Sequence, residues 1–529
     1  MKMKVLILLI GLSIIFSGCQ KFFIVENSTS VKAADYYTSA DDPVSVINGL
    51  YTLVQDLVDP LWILGESQGD LVLPARGANS NMYDIAMLRA NSTNTYTDPT
   101  PFYRLINACN GAIEGLIRLQ HLSQDYSEDL LVQHLAEIKG IRCWAYYLVV
   151  QIWGDVPFYT NYVDDLSQVK SLPIKPRNEI LRSLAQELEA ATPNIPMPKL
   201  LGDDRRAVRF NFATIRYLLG DIYAALGDYA KSLAVITEYV QDNNGAISGL
   251  NTMIGDYYYL AGLQAAYTTA WVRQFTFQNY DPNSDYKSPP KATTMYYIRS
   301  DINRGRSNSL VRWTSNQPGA IYAFKPSPGI ISAWNSQAQY EGQDNSVNVP
   351  NGIYSDRYRG MGRSYRILGS DTLIYKYLMI DQNDLNIMKN PHTQDMDFIL
   401  YREAHLFFLN AEMLAVSGRY AQVLGLINSI FRYRVSLMSY DPKVLNADAI
   451  WGIILDEHAL ELAFEGSRWL YLKHIAKISN NPKLVATKLA SKFPVNQRQE
   501  IISRYSVLKN WDLPFNLSNT GANPNLLVK

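Results

Sequence analysis

The residues that first raise a chemical question are Glu457, Glu461 and Glu465, which follow one another at four-residue spacing. Paired carboxylates cleave glycosidic bonds when they flank the bond from two sides. A four-residue spacing instead stacks side chains on one face of a helix. The apolar pattern predicts that helix over Ile450–Lys473, with Leu462 and Phe464 beside the acids. Arg468 stands three positions past Glu465, where a salt bridge is expected. The geometry therefore favours a structural role, although acids scattered elsewhere could form a site that spacing does not reveal. The six histidines are dispersed and no H-E-x-x-H occurs. Gly360-Met361-Gly362 lacks the third glycine of a dinucleotide loop, and Gly227–Ser232 lacks the glycine that precedes the lysine of a P-loop. Asp281-Pro282-Asn283-Ser284-Asp285 begins like a calcium loop, but Tyr286 and Ala292 replace its glycine and closing glutamate. An irregular calcium site there stays open without support, and no cofactor is expected.

The composition narrows the partners. The 529 residues carry 49 basic and 49 acidic side chains, without the basic excess of a nucleic-acid binder. About 47% are apolar, enough for a large core. The chain holds 36 Tyr, 9 Trp and 17 Phe, which suit cores and wet binding surfaces alike. Lys2 and Lys4 precede an uncharged run, Val5–Phe16, of the length of a signal-peptide core and too short to span a bilayer. Phe16-Ser17-Gly18-Cys19 resembles a bacterial lipoprotein box, so residues 1–18 read as a lipoprotein signal peptide and Cys19 as the lipidated residue. An ordinary signal peptide with a chance cysteine is the alternative. Removing residues 1–18 takes two lysines and leaves 47 basic against 49 acidic residues, a net charge of −2. The remaining Cys109 and Cys143 read as free buried thiols rather than a pair.

The elements that must position any site are mainly helical. Residues 19–33 read as a lipidated tether and 34–529 as a single domain. Helical patterns cover Asp42–Leu57, Phe102–Leu119, Asp129–Ile152 and Lys175–Ala191. Phe212, Ile215, Leu218, Leu219, Ile222, Tyr223 and Leu226 form one apolar stripe. Gly227-Asp228 breaks it, and Tyr229, Leu233, Ile236 and Val240 form a second. The design returns in Ala404–Ala415, Ser417-Gly418 and Tyr420–Phe431. Gly220, Tyr223, Gly227 and Tyr229 match Ala411, Leu414, Gly418 and Tyr420, a tetratricopeptide-like pattern without tandem repetition. Between the hairpins lies a loop-rich insertion of about 243–371, with a strand expected at Trp271–Gln278 and loops at Asp281–Pro290 and Ser315–Pro328. The predicted fold is a helical-hairpin scaffold carrying that insertion.

An ordered series of motifs resembles the SusD/RagB-like outer-membrane lipoproteins of Bacteroidetes. Asn48-Gly49-Leu50-Tyr51, the acidic pair Glu66 and Asp70, and Tyr103, Ile106 and Asn110 open the series. Arg142, Ala145 and Tyr146 lead into Trp153-Gly154-Asp155-Val156-Pro157. Asp356-Arg357, Lys376-Tyr377, Arg402 with Ala411-Glu412, and Leu462-Ala463-Phe464-Glu465-Gly466-Ser467-Arg468-Trp469 complete it. The chain departs from the family at His458-Ala459, where two arginines are usual, and in its tail. Gln20-Lys21-Phe22 also lacks the acidic residues common after the lipidated cysteine of surface-exposed members.

The resemblance implies a non-enzymatic lipoprotein of the outer membrane, facing the cell exterior. It implies capture of oligosaccharides and their delivery to a TonB-dependent transporter of the SusC type. Peptide capture by the same architecture is the alternative; a lipid-anchored glycoside hydrolase or a protein-only tetratricopeptide adaptor is a more distant one. The matched motifs are mostly scaffold, so ligand residues are read from chemistry. Sugars lay C–H faces on aromatic rings and offer hydroxyls to polar edges. The segment Met295–Tyr340 supplies Tyr296, Tyr297, Trp313, Tyr322, Trp334 and Tyr340, with Asn303, Arg306 and Asn308 nearby. The early loop Asp70–Asp98 adds Arg76, Asn79 and Tyr83. Trp313 and Trp334 lead, each followed by polar residues; the competing reading places these rings in the core.

Overall fold

The computed structural model describes residue 37 and residues 39–164, 172–195, 208–242, 294–337, 359–378, 388–428, 432, 439–443 and 446–527. The leader, Cys19, the tether, Trp271–Gln278, Asp281–Pro290, Tyr340 and Asp356-Arg357 lie outside them.

Helix α1 (Asp42–Gln55) leads through α2 (Val58–Trp62) and a π-helical turn, Ile63–Ser67, into strand β1 (Val72–Pro74). Helix α3 (Ser80–Ala86) starts where Asn79 accepts a hydrogen bond from the Met82 N–H. The long pair α4 (Thr100–Leu122) and α5 (Glu128–Trp153) pack together. From Ala136 to Trp153, α5 is buried at nearly every position, as expected of a helix apolar on all sides. Gly154 ends it at φ +79°, which an L side chain rarely adopts. Strands β2 (Val156–Pro157) and β3 (Ile174–Lys175) pair before α6 (Arg177–Ala191).

The first hairpin is α7 (Phe212–Leu226) and α8 (Tyr229–Asp242). Asn211 caps it by accepting from the Thr214 N–H, and Gly227 turns it at φ +84°. The second is α11 (Glu403–Val416) and α12 (Tyr420–Ile427), turned by Gly418 at φ +69°. Far apart in sequence, the hairpins meet in space, α8 and α7 both touching α11. Gly220 sits at that meeting: a Cβ there would lie 3.3 Å from Leu409 Cδ2 and 3.8 Å from Ile236 Cγ1. Gly418→Val is expected to destabilise the protein by about 1–3 kcal/mol, because a β-branched residue resists positive φ. Open space surrounds Gly418, so the loss is one of backbone strain alone; an unshifted denaturation midpoint contradicts it.

The described parts of the insertion are more regular than expected and are woven into the scaffold. Strand β4 (Thr294–Ile298) runs antiparallel to β8 (Phe398–Arg402), immediately before α11. After α9 (Leu310–Thr314), β5 (Phe324–Pro326) runs antiparallel to β1, within the stretch expected as loop. Helix α10 (Pro328–Ser336) follows, then the hairpin β6 (Tyr365–Leu368) and β7 (Asp371–Ile374).

The helix expected over Ile450–Lys473 is two helices, α13 (Ala447–Leu462) and α14 (Arg468–Ile478). Phe464 at φ +72° and Gly466 at φ +86° break it, so Glu465 leaves the face shared by Glu457 and Glu461. The chain closes with α15 (Pro482–Ala490), α16 (Val495–Tyr505) and α17 (Leu517–Ala522). Among the described residues no helix is long and apolar enough to cross a membrane. Cys109 and Cys143 are buried and free.

Candidate functional site

The glutamates are buried and paired with cations. Arg359 Nη1 donates to Glu457 Oε1 at 2.7 Å and to Glu461 Oε2 at 3.3 Å, and Arg432 Nη1 to Glu457 Oε2 at 3.1 Å. Arg402 donates to Glu461 Oε1 at 2.9 Å and grips both oxygens of Glu465, at 2.8 and 2.9 Å. Lys376 Nζ adds 2.8 Å bonds to Glu465 Oε1 and the Ala463 carbonyl. Burial pushes the Glu465 carboxyl up, but Arg402 and Lys376 outweigh it and hold it below its ordinary range. The salt bridge expected between Glu465 and Arg468 does not form. The turn between α13 and α14 separates them, and Arg468 instead grips Asp70, Nε to Oδ1 at 2.7 Å and Nη2 to Oδ2 at 3.0 Å. At 0–3% exposure these acids leave no approach for a substrate.

The same joint gathers Glu66 and Asp70, Lys376-Tyr377, Arg402 and the Leu462–Trp469 motif. Glu66 accepts from the N–H groups of Phe464 at 2.7 Å, Gly466 at 2.9 Å and Arg468 at 3.4 Å, capping the broken helix. Burial pushes its carboxyl up to about 7, against the pull of those donors. Trp62 Nε1 donates to the Phe464 carbonyl at 2.9 Å, and the Tyr377 hydroxyl donates to the same oxygen. Lys492 completes the joint, its Nζ donating to the carbonyls of Ser67, Gln68, Gly69 and Ala86 at 2.6–3.1 Å. Burial brings that ammonium down to about 7, with Asp70 and Glu66 opposing. Sequence reasoning missed Lys492, a lysine in no motif and on no periodic face.

The aromatic platform expected at Trp313 and Trp334 is corrected by their burial. Trp313 is 3% exposed, Trp334 0%, Tyr296 1% and Tyr297 7%. Trp313 packs 6.0 Å from Trp62 and 5.9 Å from Phe324. Trp334 stacks on Tyr365 at 5.7 Å, meets the edge of Phe464 at 5.8 Å and donates Nε1 to the Leu460 carbonyl at 3.3 Å. Tyr296 lies 4.8 Å from Phe210 within the pairing of β4 and β8. After Trp313 the polar residues Thr314 and Ser315 are buried with the ring, Thr314 Oγ1 donating to the Leu310 carbonyl at 2.8 Å; in α10, Ile330 and Trp334 form the buried stripe while Ser336 faces out.

The early loop and the middle segment nevertheless meet at the surface. The Arg76 side chain is 61% exposed, and its Nη1 lies 2.5 Å from Asp371 Oδ1. Its guanidinium covers the Tyr322 ring at 4.6 Å. Asn316 Nδ2 donates to Asp371 Oδ2 at 2.9 Å, and the Tyr322 hydroxyl to the Thr372 carbonyl at 2.9 Å. The bonds from Arg76 and Asn316 hold the Asp371 carboxyl below its ordinary range. Gly77 permits the approach, since a Cβ there would lie 1.7 Å from the Ile321 carbonyl oxygen. Asn79 is occupied as the cap of α3, while Tyr83 is exposed, with the Arg89 guanidinium 5.9 Å from its ring. Beside this cluster opens a cleft of 390 Å³, walled by Leu73, Pro326, Pro328 and Ile331 and edged by Lys325, Ser332, Asn335 and Thr372. A second cleft of 560 Å³ includes Asp155 and Asp512. Both serve the scaffold, Asp155 accepting from the Arg177 N–H at 2.8 Å and Asp512 from Lys473 Nζ at 2.5 Å.

Comparison with known proteins supplies the wider frame. A family model described as the SusD family matches residues 229–526, more than half of the chain. SusD-like protein P38 of Formosa agariphila is 22% identical over 485 residues, covering 88% of this chain and 89% of its own. A SusD superfamily crystal structure from Bacteroides vulgatus superposes with a TM-score of 0.70 at 14% identity, over 93% of this chain and 98% of that one. A laminarin-binding SusD-like protein superposes with a TM-score of 0.59 at 16% identity, over 91% and 97% of the two chains.

Proposed function

This chain belongs to the SusD family, and on that premise we propose that it captures oligosaccharides at the outer membrane and hands them to a TonB-dependent transporter of the SusC type. SusD-like proteins are binding proteins rather than enzymes, and they are typically associated with the cell surface. In this reading acylated Cys19 anchors the chain, which faces the cell exterior. The observation that carries the ligand class is the meeting of Arg76 with Asn316, Tyr322 and Asp371 beside the cleft of 390 Å³. An apolar wall suits the C–H face of a sugar, and the polar edge suits its hydroxyls. The volume falls within the range of about 300–1,000 Å³ usual for ligand clefts. The laminarin-binding relative supports the same class.

Calorimetry of the detergent-solubilised protein against panels of oligosaccharides and peptides tests this. Saccharide binding with a Kd of about 1 mM to 1 μM and no new reducing ends is the expected result. New reducing ends make the protein a hydrolase, and heat from peptides alone makes it a peptide carrier.

Cys19→Ala is expected to abolish acylation and release the protein from the outer-membrane fraction. The short apolar run behind Cys19 is too short to hold a bilayer by itself. Wild-type protein without acyl chains, or a variant that stays in the membrane fraction, contradicts the anchor.

A further inference from the structure

We propose that the cleft beside Arg76 and Asp371 takes an acidic saccharide, whose carboxylate or sulfate pairs with Lys325; this rests on the oligosaccharide reading above. Lys325 is the middle residue of β5, directly opposite Leu73 of β1. Its strand neighbours Phe324 and Pro326 are buried, whereas Lys325 is partly exposed and reaches the edge of the cleft. Side chains alternate across a strand, so Leu73 and Lys325 share the cleft face.

The charges around the cleft are unbalanced. Among the described residues that line it, Lys325 is the one that carries a charge. Its ammonium makes no hydrogen bond or salt bridge to a described residue. The nearby carboxylate is Asp371, which Arg76 and Asn316 already occupy through both oxygens. The Lys325 charge contributes to Asp371 staying ionised without pairing with it. Leu73, Pro326, Pro328 and Ile331 supply apolar walls, where water screens a charge less than in bulk. A neutral sugar entering such a cleft displaces water from the ammonium and returns only a neutral hydroxyl oxygen as acceptor. An acidic sugar returns a charge-assisted hydrogen bond, while Ser332, Asn335 and Thr372 stand at the same edge for hydroxyls.

The test is calorimetry of the full-length detergent-solubilised protein with four probes: tetragalacturonate, a sulfated carrageenan tetrasaccharide, neutral laminaritetraose, and a peptide with a free C-terminal carboxylate. The expected result is that one of the acidic saccharides binds and that Lys325→Gln weakens it about tenfold or more, equivalent to one charge-assisted bond. Lys325→Arg is expected to keep most of the affinity, and added salt to weaken wild-type binding. Binding of laminaritetraose with no affinity for either acidic probe overturns the inference and leaves oligosaccharide capture standing. So does acidic-probe binding unmoved by Lys325→Gln. Binding of the peptide alone, or of no probe, overturns both.

Discussion

Arg402→Leu is expected to lower the stability of the fold by about 3–5 kcal/mol, the range for removing one partner of a buried ion pair. Arg402 is 2% exposed and closes strand β8 at the start of α11. Its guanidinium binds Glu461 and both oxygens of Glu465, and its Nη2 also donates to the Glu461 carbonyl at 2.9 Å. Leucine leaves Glu461 with Arg359 and Glu465 with Lys376, so negative charge stays buried with less compensation than before. Arg402→Lys keeps the charge but loses the planar fork, and is expected to fall between the two. The difference should depend on pH. Glu465 is held below its ordinary value of 4.5, so its contribution is present above that value and fades as pH falls through the lower, folded one. The gap between wild type and Arg402→Leu should therefore narrow in acid. Urea unfolding followed by circular dichroism at neutral and acidic pH measures this; coincident curves at neutral pH rule out the network as a stabilising joint.

Trp334→Ala should act on stability and not primarily on ligand affinity. The side chain is fully buried, stacked on Tyr365 and edge-on to Phe464. Truncating a buried Trp costs about 3–5 kcal/mol through lost transfer energy and the cavity left behind. It also leaves the Leu460 carbonyl without the indole N–H that reaches it at 3.3 Å. Helix α10 carries the cleft residues Ile331, Ser332 and Asn335 on the same short segment, so any loss of binding follows from loosening of the helix. Thermal unfolding alongside calorimetry separates the two. A variant that melts like wild type yet binds saccharide weakly would restore Trp334 as a stacking platform.

Local physics made the hairpins legible. Apolar residues three and four apart, an Asn before the first turn and a Gly after the last define a helix within one stretch of chain, as Asn211, Phe212–Leu226 and Gly227 do. Family membership was also present in the sequence, because motif order survives when identity to relatives is as low as 22%. The identity of partners was not. Glu465 lies three residues from Arg468, yet positive φ at Phe464, just before the acid, and at Gly466, between the two, turns the chain and sends each to a distant ion. A tryptophan among polar neighbours looks the same whether its ring turns in or out, since such neighbours are buried with the ring at Thr314 and Ser315 and face out at Ser336. Tertiary packing decided that Trp313 and Trp334 turn in. Lys325 reaches its cleft because β5 pairs with β1, some 250 residues earlier in the chain. The register of such a pairing depends on which faces find a common core, a condition set between segments and not within either one.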